Sequence, residues 1–348
     1  MTRAFAVSLF AAAAYAASDA ELRFINYVAR FAKNIRDSDE FQERFENFQR
    51  NDAFIRIFNA TEQMFEVGYS KFTDMDDFEF EEMLGAVETI GNPAHIKTTF
   101  ASFSVPKKVD WRDHDIITPV KDQGKCAAGW AFAAVDALAA DFAWEHGELL
   151  DFSAQELIDC ASGIKFANNA CKGGSVINSV ENWYMKRHYV TQEKDYPYTS
   201  GETGRKGKCD YDGFKTTGIF AKDYARLIPD SVSMMKSWLA EGPLTVSMDA
   251  SHIGFKNYAR GIFTAHDCGT VANHFALAVG YGHDDATKTD YWIIKNSWGS
   301  DWGEDGFARI EIQDGEGVCG IQKEAIAIRS KCENNDYCGD LTAKLQTE

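Results

Sequence analysis

Past its first seventeen residues, the sequence has no apolar run long enough to cross a bilayer, which takes about 20 residues. No membrane span is therefore expected. Positive charge is in deficit: 36 Lys and Arg against 53 Asp and Glu leave a formal net charge of −17. Nucleic-acid backbones are polyanions and need a basic face to neutralise them, so a nucleic-acid partner is excluded. The acidity serves solubility and is compatible with an acidic compartment. The eight cysteines include no CxxC pair, and no histidine cluster lies near them. A zinc site is not expected, nor any other metal or cofactor. Internal repeats and low-complexity segments are also missing.

What is present is a globular composition. Of 348 residues, 45% are hydrophobic and 13% aromatic, enough for one large core or two modest ones. Arg3, the Ala-rich apolar residues 4–15 and the small-x-small site Ala14-Tyr15-Ala16 read as a signal peptide. An even number of cysteines suits an oxidising compartment. The expected destination is the secretory pathway, either a lysosome or vacuole or the extracellular space.

Glu40, Arg44, Phe48, Asn51, Ile55 and Asn59 are spaced 4, 4, 3, 4 and 4 apart. At about 100° per residue they form one stripe down a long helix. Glu40 precedes Arg44 by four residues, the favourable order for a helical ion pair. Asn59-Ala60-Thr61 is a glycosylation sequon on that stripe. The acidic run Asp74, Asp76, Asp77, Glu79, Glu81 and Glu82 reads as a solvated face. Gly91-Asn92-Pro93 reads as a linker, and a new unit begins near Ser104 or Val105. Residues 130–144 are almost wholly apolar, with Gly147 as a stop, which predicts a buried helix. Beyond Pro243 come short β-rich runs at 244–248, 275–279, 291–294 and 307–312. A helical half is followed by a β-rich half, and the cleft between two such halves is a usual place for a peptide.

The stripe matches all six positions of the ERFNIN pattern of cathepsin L-like propeptides. Gly68, Phe72 and Asp74 match three of four positions of their GxNxFxD segment, with Ser70 where Asn is expected. Val109-Asp110-Trp111-Arg112 and Val120-Lys121-Asp122-Gln123-Gly124 resemble the start of mature papain-like enzymes. From end to end the chain resembles a papain-like cysteine-protease zymogen. That resemblance implies an α+β, two-domain fold with a helical left domain and a β-barrel-like right domain. It implies boundaries at 1–17 for the signal, 18–104 for a helical inhibitory propeptide, 105–330 for the peptidase domain and 331–348 for an extension. The propeptide would run through the cleft in the non-substrate direction as an intramolecular inhibitor. The remaining partner would be a peptide or protein in the cleft of a monomer.

A thiol protease needs a thiolate, a histidine to activate it, a group to orient the histidine, and donors for the oxyanion. The family signature is C-G-[SA]-C-[WY], with the nucleophile at a helix N-terminus that lowers its pKa. Here the segment reads Cys126-Ala127-Ala128-Gly129-Trp130. Ala127 replaces the Gly, and Gly129 stands where the catalytic cysteine belongs. The other parts match. His274 falls in the histidine segment, Asn296 in the asparagine segment with Trp298 as its shield, and Gln123 at the side-chain donor of the oxyanion hole. Gly173 and Gly174 match the wall that pairs with a substrate backbone. Phe275 stands where small residues are usual and is expected to narrow the pocket for the second residue before the scissile bond. By the same resemblance Cys126 pairs with Cys171, Cys160 with Cys209 and Cys268 with Cys319, each bridge contributing roughly 2–4 kcal/mol. Cys332 and Cys338 have no counterpart, and a small loop closed between them is the simplest expectation.

Three readings of Gly129 follow. The chain is a natural inactive homologue that binds peptide or protein, or an active cysteine-type endopeptidase whose nucleophile was mutated or misread, or it hydrolyses by another route. The third is weakest, because triads without a nucleophile keep only about 10³–10⁴-fold catalysis over water. The changes at Ala127 and Phe275 favour the first, since a deliberate inactivation alters the nucleophile alone.

Overall fold

The computed structural model describes residues 18–333 apart from 62, 88–94, 102–104, 188, 212–214, 216 and 266. The expected signal peptide, the Gly91-Asn92-Pro93 linker and Cys338 lie outside the described residues. Cys332 is itself disulfide-bonded.

Helix α1 (Asp19–Arg30) opens on a capping box, in which the Ser18 hydroxyl accepts from the Glu21 amide and the Glu21 carboxylate accepts from that of Ser18. Helix α2 (Ser38–Asn59) is capped by Asp37, whose side chain accepts from the amides of Asp39 and Glu40. Phe24, Tyr27, Phe45 and Phe48 are buried between these two helices and form a small core of their own. Helix α3 (Asp77–Glu81) follows, capped by Asp76.

The long stripe of α2 does more than cover a core. Asn51 Nδ2 donates to the Thr73 carbonyl (2.8 Å), so the stripe holds the chain that returns beside it. Glu40 and Arg44 do not pair with each other, contrary to their spacing. Glu40 accepts from Arg36 (2.9 Å), and Arg44 forms a bidentate pair with Glu79 (2.6 Å for each bond). A fork-to-fork pair with a tertiary partner is stronger than an exposed helical one, so Arg44 turns away from its own helix. The acidic run is likewise not simply a solvated face. Asp74 is buried and accepts from Tyr27 (2.8 Å) and Lys33 (2.7 Å). Asp77, Glu81 and Glu82 do face solvent.

Asn59 is exposed, but its amide also braces the returning chain. Its Nδ2 donates to the Val67 carbonyl (2.7 Å) and its Oδ1 accepts from the Val67 amide (3.1 Å). Asn59→Ala should cost about 1–2 kcal/mol in a urea melt.

Helix α4 (Gly129–His146) is buried from Gly129 to Ala143, as an all-apolar sequence requires. Gly147, at φ 74°, takes the left-handed turn that ends it and donates to the Ala143 carbonyl. Helix α5 (Ala154–Cys160) packs beside it.

The strands are β1 (Phe65–Val67), β2 (Ile96–Lys97), β3 (Val109–Asp110), β4 (Ile219–Leu227), β5 (Leu244–Met248), β6 (Tyr258–Phe263), β7 (His274–Asp284), β8 (Thr289–Lys295), β9 (Phe307–Glu311) and β10 (Ala325–Cys332). They form one sheet in the order β1-β6-β9-β8-β7-β5-β10-β4-β2, with β3 on β7. The strands at its two ends, β1 and β2, both come from the chain before residue 105. Edge strands offer unpaired backbone groups, and here the N-terminal segment covers both edges. Disulfides join Cys126 to Cys171, Cys160 to Cys209 and Cys268 to Cys319.

Candidate active site

Two elements meet at the cleft. The N-terminus of α4 brings Gly129, and the start of β7 brings His274, whose strand pairs with β5 on one side and β8 on the other. The next turn after β8 carries Asn296. His274 Nε2 lies 2.9 Å from Asn296 Oδ1. The Trp298 indole covers that contact, its ring centroid 4.9 Å from the imidazole. Trp298 is itself walled by Phe72, Phe80, Phe255 and Trp302. Two of those rings belong to the N-terminal segment.

The imidazole is fully buried, and its other nitrogen, Nδ1, has no hydrogen-bond partner. It points at Gly129. A Cβ built on Gly129 would lie 2.7 Å from His274 Cε1, 2.9 Å from its Nδ1 and 3.0 Å from the Phe275 carbonyl. The histidine ring occupies the space next to a residue without a side chain.

Burial disfavours the charged ring more than the Asn296 contact favours it, and holds the His274 pKa down to about 4. The folded chain therefore binds fewer protons at this site than the unfolded chain between pH 4 and 6.5. Stability from this group is complete above about pH 6.5 and is lost on acidification toward 4, by on the order of 3 kcal/mol. Urea midpoints across that range should fall more steeply for the parent than for His274→Gln. Parallel curves would refute the assignment.

Gln123 reaches the cleft from the loop before α4. Its Oε1 accepts from the Ser297 hydroxyl (2.9 Å), which orients the amide. Its Nε2 then donates to the carbonyl of Met83 (2.8 Å) and to that of Cys126 (3.0 Å). Met83 belongs to the N-terminal segment, so a carbonyl of that segment sits on the donor expected for an oxyanion.

That segment continues along the glycine wall. Gly174 donates to the Gly85 carbonyl (2.9 Å), Val87 donates to the Gly174 carbonyl (2.9 Å), and Ala86 donates to the Asn273 carbonyl (2.8 Å). The Ala86–Gly174 bridge is parallel. Gly85 fits only because it lacks a Cβ: one built there would lie 2.7 Å from Gly173 Cα and 2.8 Å from the Ala127 carbonyl.

Phe275 is buried and pairs with Ser247 across the sheet. With Ala86, Val87, Arg226 and Glu324 it lines a cavity of about 270 Å³ beside the cleft. Arg226 and Glu324 stand 3.7 Å apart. Behind the site, buried Lys295 donates to Asp136 (2.5 Å) and Thr118 (2.7 Å), tying the residue before Asn296 to helix α4. Sequence reasoning did not find Met83, Gly85, Ser297 or this buried pair. The Asp within an apolar helix and the glycine after Met83-Leu84 were the available signals.

These features define a two-walled cleft closed by its own N-terminal segment. The model of papain family cysteine proteases matches residues 105–329, and that of the cathepsin propeptide inhibitor domain matches residues 24–80. The chain belongs to the papain family of cysteine proteases and has the organisation of a zymogen. Among curated relatives, fruit bromelain from Ananas comosus is 34% identical over 310 residues, covering 86% of this chain and 83% of its own length. A cathepsin L-like protein from Caenorhabditis elegans is 34% identical over 311 residues, covering 86% and 89%. Among solved structures, a recombinant stem bromelain precursor superposes with a TM-score of 0.78 at 32% identity, covering 90% of this chain and 99% of its own. Digestive procathepsin L 3 of Tenebrio molitor superposes with a TM-score of 0.79 at 28% identity, covering 90% and 100%.

Proposed function

We propose that this chain is a pseudoprotease: a papain-family frame that binds a peptide or protein segment in its cleft and does not cut it. The observation that carries this reading is Gly129 at the start of α4, facing a buried His274 Nδ1 with no partner. No thiolate can form at a glycine, and a neutral imidazole without a nucleophile has nothing to deprotonate. Cys126 is no substitute, because it is bonded to Cys171.

The proposal assigns Gly129 to the nucleophile's place, His274 and Asn296 to the base and its orienter, and Gln123 to the oxyanion donor. Gly173, Gly174, Phe275 and Trp298 are the substrate wall, with Phe275 narrowing the adjoining pocket. Residues 18–104 act as the inhibitory propeptide, supported by the parallel pairing at Ala86 and the Met83 carbonyl on Gln123. Residues 105–330 form the peptidase-like domain of a monomer in the secretory pathway, in a lysosome or vacuole or outside the cell. The retained His274–Asn296 contact favours a second reading, an active endopeptidase whose natural residue 129 is cysteine. Sequencing the codon from source material separates the two.

An inactive chain cannot mature itself. Purified protein held at acidic pH without added protease is expected to keep its N-terminal segment, as read by intact mass. It should also take up no thiol-directed covalent inhibitor. Spontaneous shortening to a start near Val105, or stoichiometric labelling in the cleft, would sink the proposal.

A further inference from the structure

We propose that the cleft wall built on the Cys126–Cys171 disulfide is a subsite for a carboxylate side chain of the bound peptide. The inference rests on the reading of the cleft as a peptide-binding site and names the ligand it selects.

The disulfide brings its two backbones to a Cα separation of 4.5 Å, and a lysine flanks it on each side, Lys125 before Cys126 and Lys172 after Cys171. Both lysines are exposed, and both line one cavity of about 660 Å³ at the cleft. Neither ammonium has an ion-pair partner among the described residues. In a chain of net charge −17, two neighbouring unneutralised cations are a local reversal of sign. The other cationic groups near the cleft are committed. Arg44 lines the same cavity but holds Glu79, and on the opposite wall Arg226 faces Glu324 and Lys323 faces Glu316.

The segment already in the cleft has the matching charge. Glu82 lines this cavity, and it immediately precedes Met83, whose carbonyl lies on Gln123. The N-terminal segment thus brings a carboxylate to the same cavity as the two lysines, without pairing with either, beside the backbone group that the oxyanion donor holds. A peptide that replaces it meets the same wall. The disulfide holds both lysine backbones in place, so only the lysine side chains remain to be ordered when a carboxylate docks.

The test uses the full-length chain with Gly85→Val, whose added side chain has no room against the Gly173 and Ala127 backbones and opens the cleft. Fluorescein-labelled Ala-Ala-Glu-Ala amide and its Gln counterpart are titrated by anisotropy at low and high salt. The Glu peptide is expected to bind about tenfold tighter at low salt, a margin that shrinks with salt and disappears in K125Q/K172Q. Equal affinities, or a margin that survives in K125Q/K172Q, overturn the subsite while leaving the peptide-binding cleft intact. Binding of neither peptide at millimolar concentration overturns the peptide-binding reading itself, and the subsite with it. A second measurement needs no change at Gly85. Once an added protease has removed the N-terminal segment from the otherwise unaltered chain, the Glu peptide is expected to keep the same salt-sensitive margin over the Gln peptide, and equal affinities there overturn the subsite.

Discussion

Once an added protease has removed its N-terminal segment, the Gly129→Cys protein is expected to hydrolyse a dipeptidyl fluorogenic amide at least about 10³-fold faster than the parent. Removing a triad nucleophile costs about 10⁶ in kcat, so restoring one could return that much where geometry is intact. Here the His274–Asn296 contact, the Gln123 amide and the backbone N–H of Gly129 are available. The full factor is not expected, because the new Cβ would stand 2.7 Å from the imidazole and 3.0 Å from the Phe275 carbonyl. The ring can yield only by disturbing its contacts with Asn296 and Trp298. Overpacking of this kind costs about 1–3 kcal/mol, which should appear as a lower denaturation midpoint. Restored activity would raise the His274 pKa as well, since a thiolate beside the ring favours its charged form. A cysteine variant as inert as the parent would mean that the pocket has decayed along with the nucleophile. A parent that cleaves at the variant's rate would refute the assignment of Gly129.

The second large effect concerns latency. Gly85→Val is expected to expel residues 83–87 from the cleft while α1 and α2 stay docked. The atoms that a Cβ would strike include the Gly173 Cα and the Ala127 carbonyl, which are backbone and cannot step aside. Losing this fit releases the hydrogen bonds from Gln123, Gly174, Ala86 and Val87. Each is worth about 1 kcal/mol net, so hydrogen exchange over this segment should quicken by about 10²-fold or more. The helical unit keeps separate anchors: β1 on β6, and Phe72 and Phe80 against Trp298. Exchange in α2 should therefore change little. Uniform loss of protection across α2 would show that the cleft segment and the helices detach as one unit.

Sequence patterns were most informative where periodicity or a long matched context carried them. The stripe of α2, the buried helix α4 with its glycine stop and the four β-rich runs are all present where spacing placed them. Local rules failed where a distant partner outbid a near one. Spacing alone paired Glu40 with Arg44, but Glu79 offers Arg44 two bonds at once. Charge alone put Asp74 in solvent, but Tyr27 and Lys33 hold it in the interior. Glu79 lies 35 residues from Arg44, and Tyr27 and Lys33 lie 47 and 41 residues from Asp74, so no short window along the chain could weigh them.

By itself the sequence determined which groups exist: a histidine, an orienting amide and an oxyanion donor, and a glycine in place of a thiol. Side-chain chemistry is written residue by residue, and no fold can supply a missing sulfur. Only the tertiary structure decided what fills the resulting space. The imidazole lies against Gly129, Met83 presents its carbonyl to Gln123, and Gly85 meets the Gly173 backbone. Such contacts depend on close packing between segments far apart in the chain, where a tenth of a nanometre separates a fit from a clash.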